Sequence, residues 1–180
     1  MTTAPWLRDD VVEAARSILG WRVTSTIDGA RVVAIIDEVE AYEGEQDPAS
    51  HAYRGETPRN RVMFGAPGGL YVYRSYGIHW CMNVAVGQVG LARAVLLRGA
   101  KIITGQDIAV ERRGRADNLA NGPGKLTQAL GVTGSMDGHR VDEPPLVIDS
   151  AGRSPVSVEA TPRIGISKAV ERPWRFVATF

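Results

Sequence analysis

The segment RVVAIIDEVEAY, residues 31–42, constrains the fold most, because a single strand pattern changes from apolar to acidic along it. Its first half, RVVAII, is rich in β-branched residues and predicts a buried strand. The pattern then runs, with no turn residue, into Asp37, Glu38 and Glu40. A solvent loop can be this acidic, but its first carboxylates are not usually attached to the end of a core strand. The sequence therefore predicts carboxylates at the border of the core.

If this strand persists to Tyr42, its alternate side chains lie on opposite faces of the sheet. The predicted faces are Ile36, Glu38, Glu40 and Tyr42 on one side, and Asp37, Val39 and Ala41 on the other. A carboxylate beside an apolar wall is a candidate general base, because loss of hydration makes it a better proton acceptor. The alternative is that Glu38 and Glu40 are solvated, or paired with arginines at the strand end.

The remaining segments predict short helices placed among β-hairpins. Asp10 is positioned to cap a first helix. The dipeptides Asp28-Gly29 and Tyr76-Gly77 are positioned at the turns of two hairpins. Further helices are predicted at 104–113 and 120–132, and further strands at 145–148 (PLVI), 156–160 (VSVEA), 163–166 (RIGI) and 175–180 (RFVATF). This mixture predicts an α+β fold with an antiparallel-rich β core and short flanking helices.

Composition excludes several classes of protein. The 180 residues, 44% of them hydrophobic, suit a single domain over 1–180. No basic region precedes an apolar segment at the N-terminus and no apolar run approaches a membrane span, so a cytoplasmic protein without membrane contact is expected. Lys and Arg (21) nearly balance Asp and Glu (20). Because acidic residues concentrate at 37–47 and basic ones at 93–125, the chain could present a local basic surface, or these charges could be scattered and solvated.

Metal and cofactor sites have little support in the sequence. His79 and Cys81 share a strand face, but three histidines and one cysteine give no ligand set with zinc spacing. The sequence GPGK at 122–125 lacks the remainder of a GxxxxGK[ST] phosphate loop. The single cysteine excludes an internal disulfide and fits a reducing compartment. We therefore expect no metal and no cofactor.

Three tyrosines fall in or beside the second hairpin. Tyr71 and Tyr73 share a face by strand parity, and Tyr71 is interpreted as part of the core or as a support behind a site. Tyr76 lies beside Gly77 and is expected to be exposed at the hairpin tip. An exposed turn tyrosine is often without a role, but on a DNA-binding surface it can enter the base stack as a wedge.

Residues 40–84 read EAYEGEQDPASHAYRGETPRNRVMFGAPGGLYVYRSYGIHWCMNV. This block resembles the signature region of the 3-methyladenine (alkylpurine) DNA glycosylases, of the single-domain mammalian alkyladenine type. The resemblance continues in order at 94–98 (AVLLR), 119–132 (LANGPGKLTQALGV), 162–166 (PRIGI) and 173–176 (PWRF). It implies a base-excision repair enzyme that flips alkylated purines out of duplex DNA and leaves an abasic site.

The resemblance also implies roles for individual side chains. Glu40 would activate the attacking water, and Arg98 would help to position the water and the glutamate. The flipped base would lie in an aromatic box formed by Tyr42, His51 and Tyr73. His51 could instead be a capped loop histidine with no ligand contact. The block contains no lysine, so simple hydrolysis by a monofunctional glycosylase is expected, without strand cleavage.

Other residues would contact the DNA around this pocket. Asn83 would disfavour unmodified guanine by crowding its exocyclic amine, and Tyr76 would intercalate. Candidates for DNA-backbone contact are Arg59, Arg61, Gly124 and Lys125. Either arginine could instead order the loop that carries His51. The remaining acidic residues of the block, Glu43, Glu45 and Asp47, are expected to order that loop or to repel phosphate from the pocket mouth.

The expected partner is double-stranded DNA containing damaged purines, bound by a monomer. Two other functions remain open at this point. A non-catalytic nucleic-acid-binding module of the same fold would not need a glutamate, an aromatic box and an arginine that converge on one point. A hydrolase of free nucleosides would share the chemistry but would not need Tyr76 as a wedge.

Overall fold

Nine strands form one antiparallel sheet in residues 4–180, the part of the chain that the computed structural model describes. The strands are β1 Arg22–Ser25, β2 Val32–Glu43, β3 Leu70–Ser75, β4 His79–Val86, β5 Arg93–Thr104, β6 Asp142–Glu143, β7 Leu146–Asp149, β8 Ser157–Thr161 and β9 Arg175–Thr179. The main path runs β3-β4-β5-β2-β1-β7-β6, and β9 pairs with both β2 and β8. The long strand β2 is therefore central and contacts β1, β5 and β9.

Three α-helices flank this sheet in the described residues: α1 Val11–Ile18, α2 Gln106–Arg113 and α3 Pro123–Leu130. The buried faces of α1 and α3 join the main core cluster against one face of the sheet. The Asp10 side chain caps α1 by accepting the backbone N–H of Glu13 at 2.9 Å, as predicted. The predicted α+β class with an antiparallel core is confirmed, and no helix of the described residues has the length and apolarity to cross a membrane.

Most predicted elements form at their expected places. Tyr76 and Gly77 both have positive φ in the β3–β4 turn, and Asp28 and Gly29 do so in the β1–β2 connection. The exception is 163–166, RIGI, which is wrong as a strand: it lies in an irregular loop between β8 and β9. Its short apolar alternation resembles a strand pattern, but no neighbouring strand pairs with it.

The predicted alternation of β2 is wrong at Ile36. The register with β5 shifts between Ile36 and Glu38, which leaves Asp37 as the extra residue of a β-bulge. A bulge moves every later side chain to the other face. Ile36 consequently shares the main core with Val39 and Ala41 instead of lying on the opposite face.

Asp37 carries a stability cost that depends on pH. Burial, followed by the neighbouring charge of Glu38, raises the pKa of Asp37 from 3.8 to about 6. The folded state then holds a proton that the unfolded state releases, so stability falls as pH rises from about 4 to about 6, and the cost persists above that range. We expect Asp37→Asn to stabilise the protein by about 1–2 kcal/mol at pH 8, because Asp37 is only partly buried, and by little near pH 4. Urea unfolding at both pH values measures this; an equal gain at both, or none, would contradict it.

Candidate active site

A cavity of about 580 Å³ opens on the face of the sheet opposite Val39 and Ala41. Strands β2 to β5 form its floor, and the loops at 48–63 and 164–168 form its walls. The predicted site residues among its lining are Glu40, Tyr42, His51, Arg59, Tyr73, Tyr76, Asn83 and Arg98. The structure therefore brings together side chains that lie far apart in the sequence.

Glu40 lies at the floor of the cavity with 0% of its surface exposed. Its Oε2 accepts a hydrogen bond from the Tyr42 hydroxyl at 2.7 Å, and its Oε1 accepts one from the backbone N–H of Ile164 at 2.7 Å. The Arg98 Nη1 lies 3.5 Å from Oε1. A buried carboxylate needs such partners, and together they fix its orientation toward the cavity.

Arg98 is held in turn by a second carboxylate. Its Nε donates to Glu38 Oε1 at 2.9 Å, and Arg175 Nε donates to the same oxygen at 2.6 Å. Burial alone would raise the pKa of Glu38, but the hydrogen bonds and charges of Arg175 and Arg98 outweigh it and hold that pKa below its usual value. Glu38, in the middle of β2, is thus the carboxylate paired with Arg98 and Arg175, while Glu40 lines the cavity.

Aromatic side chains form one wall of the cavity. The rings of Tyr71 and Tyr73 stack with centroids 5.5 Å apart, and His51 meets Tyr73 edge-on at 4.5 Å. The His51 Nδ1 lies 3.1 Å from the Tyr71 hydroxyl. Burial of the ring, followed by the charge of Arg59, lowers the pKa of His51 and so favours its neutral form. Tyr71 is buried and orients His51 from behind, as interpreted from the sequence.

Asn83 lies deep in the cavity on β4. Its side-chain amide donates to the carbonyl oxygen of Tyr71 at 3.2 Å, across the β3–β4 pair. This bond fixes the direction of the side chain, and its oxygen accepts no hydrogen bond from the described residues. Asn83 therefore occupies a place where it would limit the shape of a bound ring.

Tyr76 lies at the mouth of the cavity, on the tip of the β3–β4 hairpin. It is 89% exposed and has a φ of +49°, a left-handed conformation that is uncommon for a bulky residue. No aromatic contact within the described residues involves its ring. The hairpin thus presents an unsupported aromatic side chain to solvent beside the site.

The four candidates for backbone contact have different positions. The guanidinium carbon of Arg59 lies 5.7 Å from the centroid of the Tyr73 ring, at the cavity wall, whereas Arg61 is exposed outside the cavity lining. Gly124 lies in the first turn of α3 against β4, where an added Cβ would lie 2.8 Å from His79 Cβ. Lys125, in the first turn of α3, donates to the Asn121 side chain just before the helix at 2.9 Å.

The sequence reasoning missed the role of Arg163. Its guanidinium donates to both oxygens of Asp47 and to the carbonyl of Ala41 at 2.9 Å. The side chains of this pair are 0% exposed. The same guanidinium lies 4.6 Å from the Tyr42 ring centroid and 5.4 Å from that of Trp174. Arg163 belongs to the PRIGI motif that was noted in the sequence. The interpretation of 163–166 as a strand gave no reason to expect its arginine to be a buried ion-pair partner.

The structure shows what two of the acidic residues of the 43–47 loop, Asp47 and Glu43, contact. Asp47 is buried against Arg163 and accepts the backbone N–H groups of Ala49 and Glu43, so it orders the loop. Glu43 pairs with Arg93 at 3.2 Å.

Among residues 4–180, no group of three His, Cys, Asp or Glu side chains is arranged to hold a metal ion.

Several known proteins are similar in sequence to this chain over most of its length. A protein of Rhodopseudomonas palustris strain BisB18 is 48% identical over 168 residues, covering 92% of this chain and 81% of its own. A protein of Frankia casuarinae is 46% identical, covering 92% and 83%, and one of Rhodococcus jostii is 46% identical, covering 94% and 78%. Each carries the name "Putative 3-methyladenine DNA glycosylase".

The family comparison agrees with these relatives. A profile of the methylpurine-DNA glycosylases matches residues 5–179 and so includes every element that forms the cavity. The resemblance of residues 40–84 to the alkylpurine glycosylases is thereby confirmed at the level of the family. This chain belongs to the methylpurine-DNA glycosylase family.

Proposed function

We propose that this protein is a base-excision repair glycosylase that draws an alkylated purine of the 3-methyladenine class out of duplex DNA and hydrolyses its N-glycosidic bond. The observation that carries the proposal is the position of Glu40. A buried carboxylate, fixed by Tyr42, Ile164 and Arg98, faces an aromatic cavity. A wedge-like Tyr76 lies at the mouth of the same cavity.

Base recognition would rest on the aromatic wall. Stacking on aromatic side chains contributes roughly 1–3 kcal/mol per base, which offsets an extrusion cost of roughly a few kcal/mol. An alkylated purine such as 3-methyladenine is cationic, so the faces of Tyr42 and Tyr73 attract it. Its positive charge also weakens the glycosidic bond, so the enzyme mainly has to supply an oriented water and a base.

The chemical step follows from the geometry of Glu40. A water held between this carboxylate and the sugar attacks C1′ and gives its proton to Glu40. The C1′–N bond breaks, and its electron pair leaves with the purine. Arg98 keeps the carboxylate in place, which makes the step effectively intramolecular. The products are a free base and an abasic site.

Lys168 bears on whether the protein is monofunctional, because its side chain lines the cavity although it lies outside the resembling block. An amine that reached C1′ would form a Schiff base and allow strand cleavage. We propose that the water, not Lys168, is the nucleophile, because Glu40 and Arg98 lie at the floor while Lys168 belongs to the wall loop.

Contacts to the DNA backbone would be mainly electrostatic and insensitive to sequence, and would weaken with salt. Arg61 and Lys125 are proposed to meet phosphates, together with the backbone N–H of Gly124 at the start of α3. Arg59 is a further candidate for such a contact. The protein is proposed to act as a monomer.

Replacement of Tyr76 by alanine should lower base release from duplex DNA by about 5- to 150-fold, because a wedge that stacks in the duplex contributes roughly 1–3 kcal/mol. Release from single-stranded DNA, which needs no extrusion from a duplex, should change much less. Single-turnover release on both substrates measures the difference. Val156→Ala is the matched control, since Val156 is 82% exposed and lies outside the cavity lining. An equal loss on both substrates would exclude the wedge.

The proposal is tested by incubating the protein with methylated duplex DNA, separating the released bases by chromatography and examining the strands by electrophoresis. We expect free methylated purine and strands that break only after alkali, with no covalent adduct on borohydride reduction. Salt-sensitive DNA binding without any base release would favour the non-catalytic binding module. Equal release from free methylated nucleosides would favour a nucleoside hydrolase.

A further inference from the structure

Both tyrosine rings proposed to bind the base already have a guanidinium over them. Arg163 lies 4.6 Å from the Tyr42 centroid, and Arg59 lies 5.7 Å from the Tyr73 centroid. Each distance is within the range of a cation–π interaction. Each of the two rings that should attract a cationic base therefore already interacts with a permanent cation.

The two arginines differ in their surroundings. Arg163 is fully buried, and its charge is balanced by Asp47. Arg59 is exposed, and within the described residues no carboxylate lies within ion-pair distance of its guanidinium. Of the two arginines over the tyrosine rings, Arg59 is therefore the one whose charge has no ion-pair partner among the described residues.

Arg59 also lies where its field reaches the bound base. It lines the main cavity and an adjoining cavity of about 400 Å³, and the two cavities share His51 and Tyr71. Its charge contributes, after burial, to the lowered pKa of His51. Arg61, two residues further along the chain, lines neither cavity.

We propose that Arg59 is a specificity-determining residue that lowers the preference of the cavity for cationic purines relative to neutral ones. It shares the negative face of Tyr73 with the base, and its uncompensated charge repels a second cation across the cavity. A neutral damaged purine loses neither stacking nor charge energy to it. The inference rests on the proposed function, because it needs a purine bound in this cavity.

The test compares release of cationic 7-methylguanine and 3-methyladenine with release of neutral hypoxanthine and ethenoadenine from one duplex sequence, under single-turnover conditions. The variants are R59Q and R59M, which remove the charge, and R59K, which keeps it. R61Q is the matched control for loss of a nearby positive charge. If the wild type releases no neutral lesion, the cationic-to-neutral ratio is taken instead from the binding affinities for the same duplexes. These are measured with proteins that carry E40Q alone or together with each substitution at residue 59 or 61.

We expect R59Q and R59M to raise the cationic-to-neutral ratio by about 3- to 10-fold, while R59K and R61Q leave that ratio near the wild-type value. An equal loss for all lesions in R59Q would overturn the inference and assign Arg59 to a phosphate. A lower ratio would also overturn it. Absence of release by the wild type from every duplex would instead contradict the proposed function.

Discussion

Glu40→Gln should lower the single-turnover rate of base release by about 10²- to 10⁴-fold, the usual contribution of a general base. Glutamine has nearly the same shape, and its carbonyl oxygen can still accept a bond from Tyr42 or Ile164, so the cavity should keep its form. Binding of lesion-containing duplex, measured by gel shift, should stay within a few-fold of the wild-type value. The variant thus separates chemistry from binding.

Glu38→Gln is the control for this prediction, because Glu38 lies on the same strand and shares Arg98 but is absent from the cavity lining. Its loss should loosen Arg98 and lower release by only about 10-fold. If Glu40→Gln releases base at the wild-type rate, Glu40 is not the base. If Glu38→Gln loses as much as Glu40→Gln, the assignment between the two carboxylates is wrong.

The second large effect is expected at the buried ion pair of Asp47 and Arg163. Asp47→Asn removes one charge of a pair whose side chains are 0% exposed, and an uncompensated buried charge typically costs about 3–5 kcal/mol. The free energy of unfolding, measured in urea, should fall by about that amount. Glu43→Gln is the matched control, because it breaks an ion pair that is partly exposed: the side chains of Glu43 and Arg93 are 25% and 20% exposed. This substitution should lower the free energy of unfolding by at most about 1 kcal/mol.

The loss at Asp47 should extend to activity in the fraction that remains folded. Arg163 stacks on Tyr42, and the next residue, Ile164, donates its backbone N–H to Glu40. A displaced Arg163 therefore moves two contacts of the Glu40 carboxylate, the Tyr42 hydroxyl and the Ile164 N–H. The double variant Asp47→Asn, Arg163→Gln should be less destabilised than the sum of the single variants, because both charges are removed. Strict additivity, or a fall of under 1 kcal/mol for Asp47→Asn, would contradict the role of the pair.

Local chemistry made the hairpins and helices predictable. Turn residues with positive φ, such as Gly77, and the cap at Asp10 act through neighbouring residues only. The bulge at Asp37 left no local signal, because it is fixed by the pairing of β2 with β5. The loop at 163–166 was mistaken for the same reason: whether a short apolar alternation forms a strand depends on the availability of a partner edge.

The candidate site was predictable from motif resemblance and not from pattern alone. Strand parity placed Glu40 and Tyr42 on one face, but it could not bring Arg98 or His51 beside them. The contact between Asp47 and Arg163 spans 116 residues and has no local signature. The side chain that the sequence reasoning left out is Arg163, which lies outside residues 40–84 and acts through Asp47.

The most direct test of the account is a crystal structure of the Glu40→Gln variant bound to a duplex with one damaged purine. We expect that the base lies in the cavity against Tyr42 and Tyr73, that Tyr76 fills the gap in the stack, and that the sugar C1′ faces the side chain of residue 40. A base that remains stacked in the duplex while the DNA lies on another surface would contradict it.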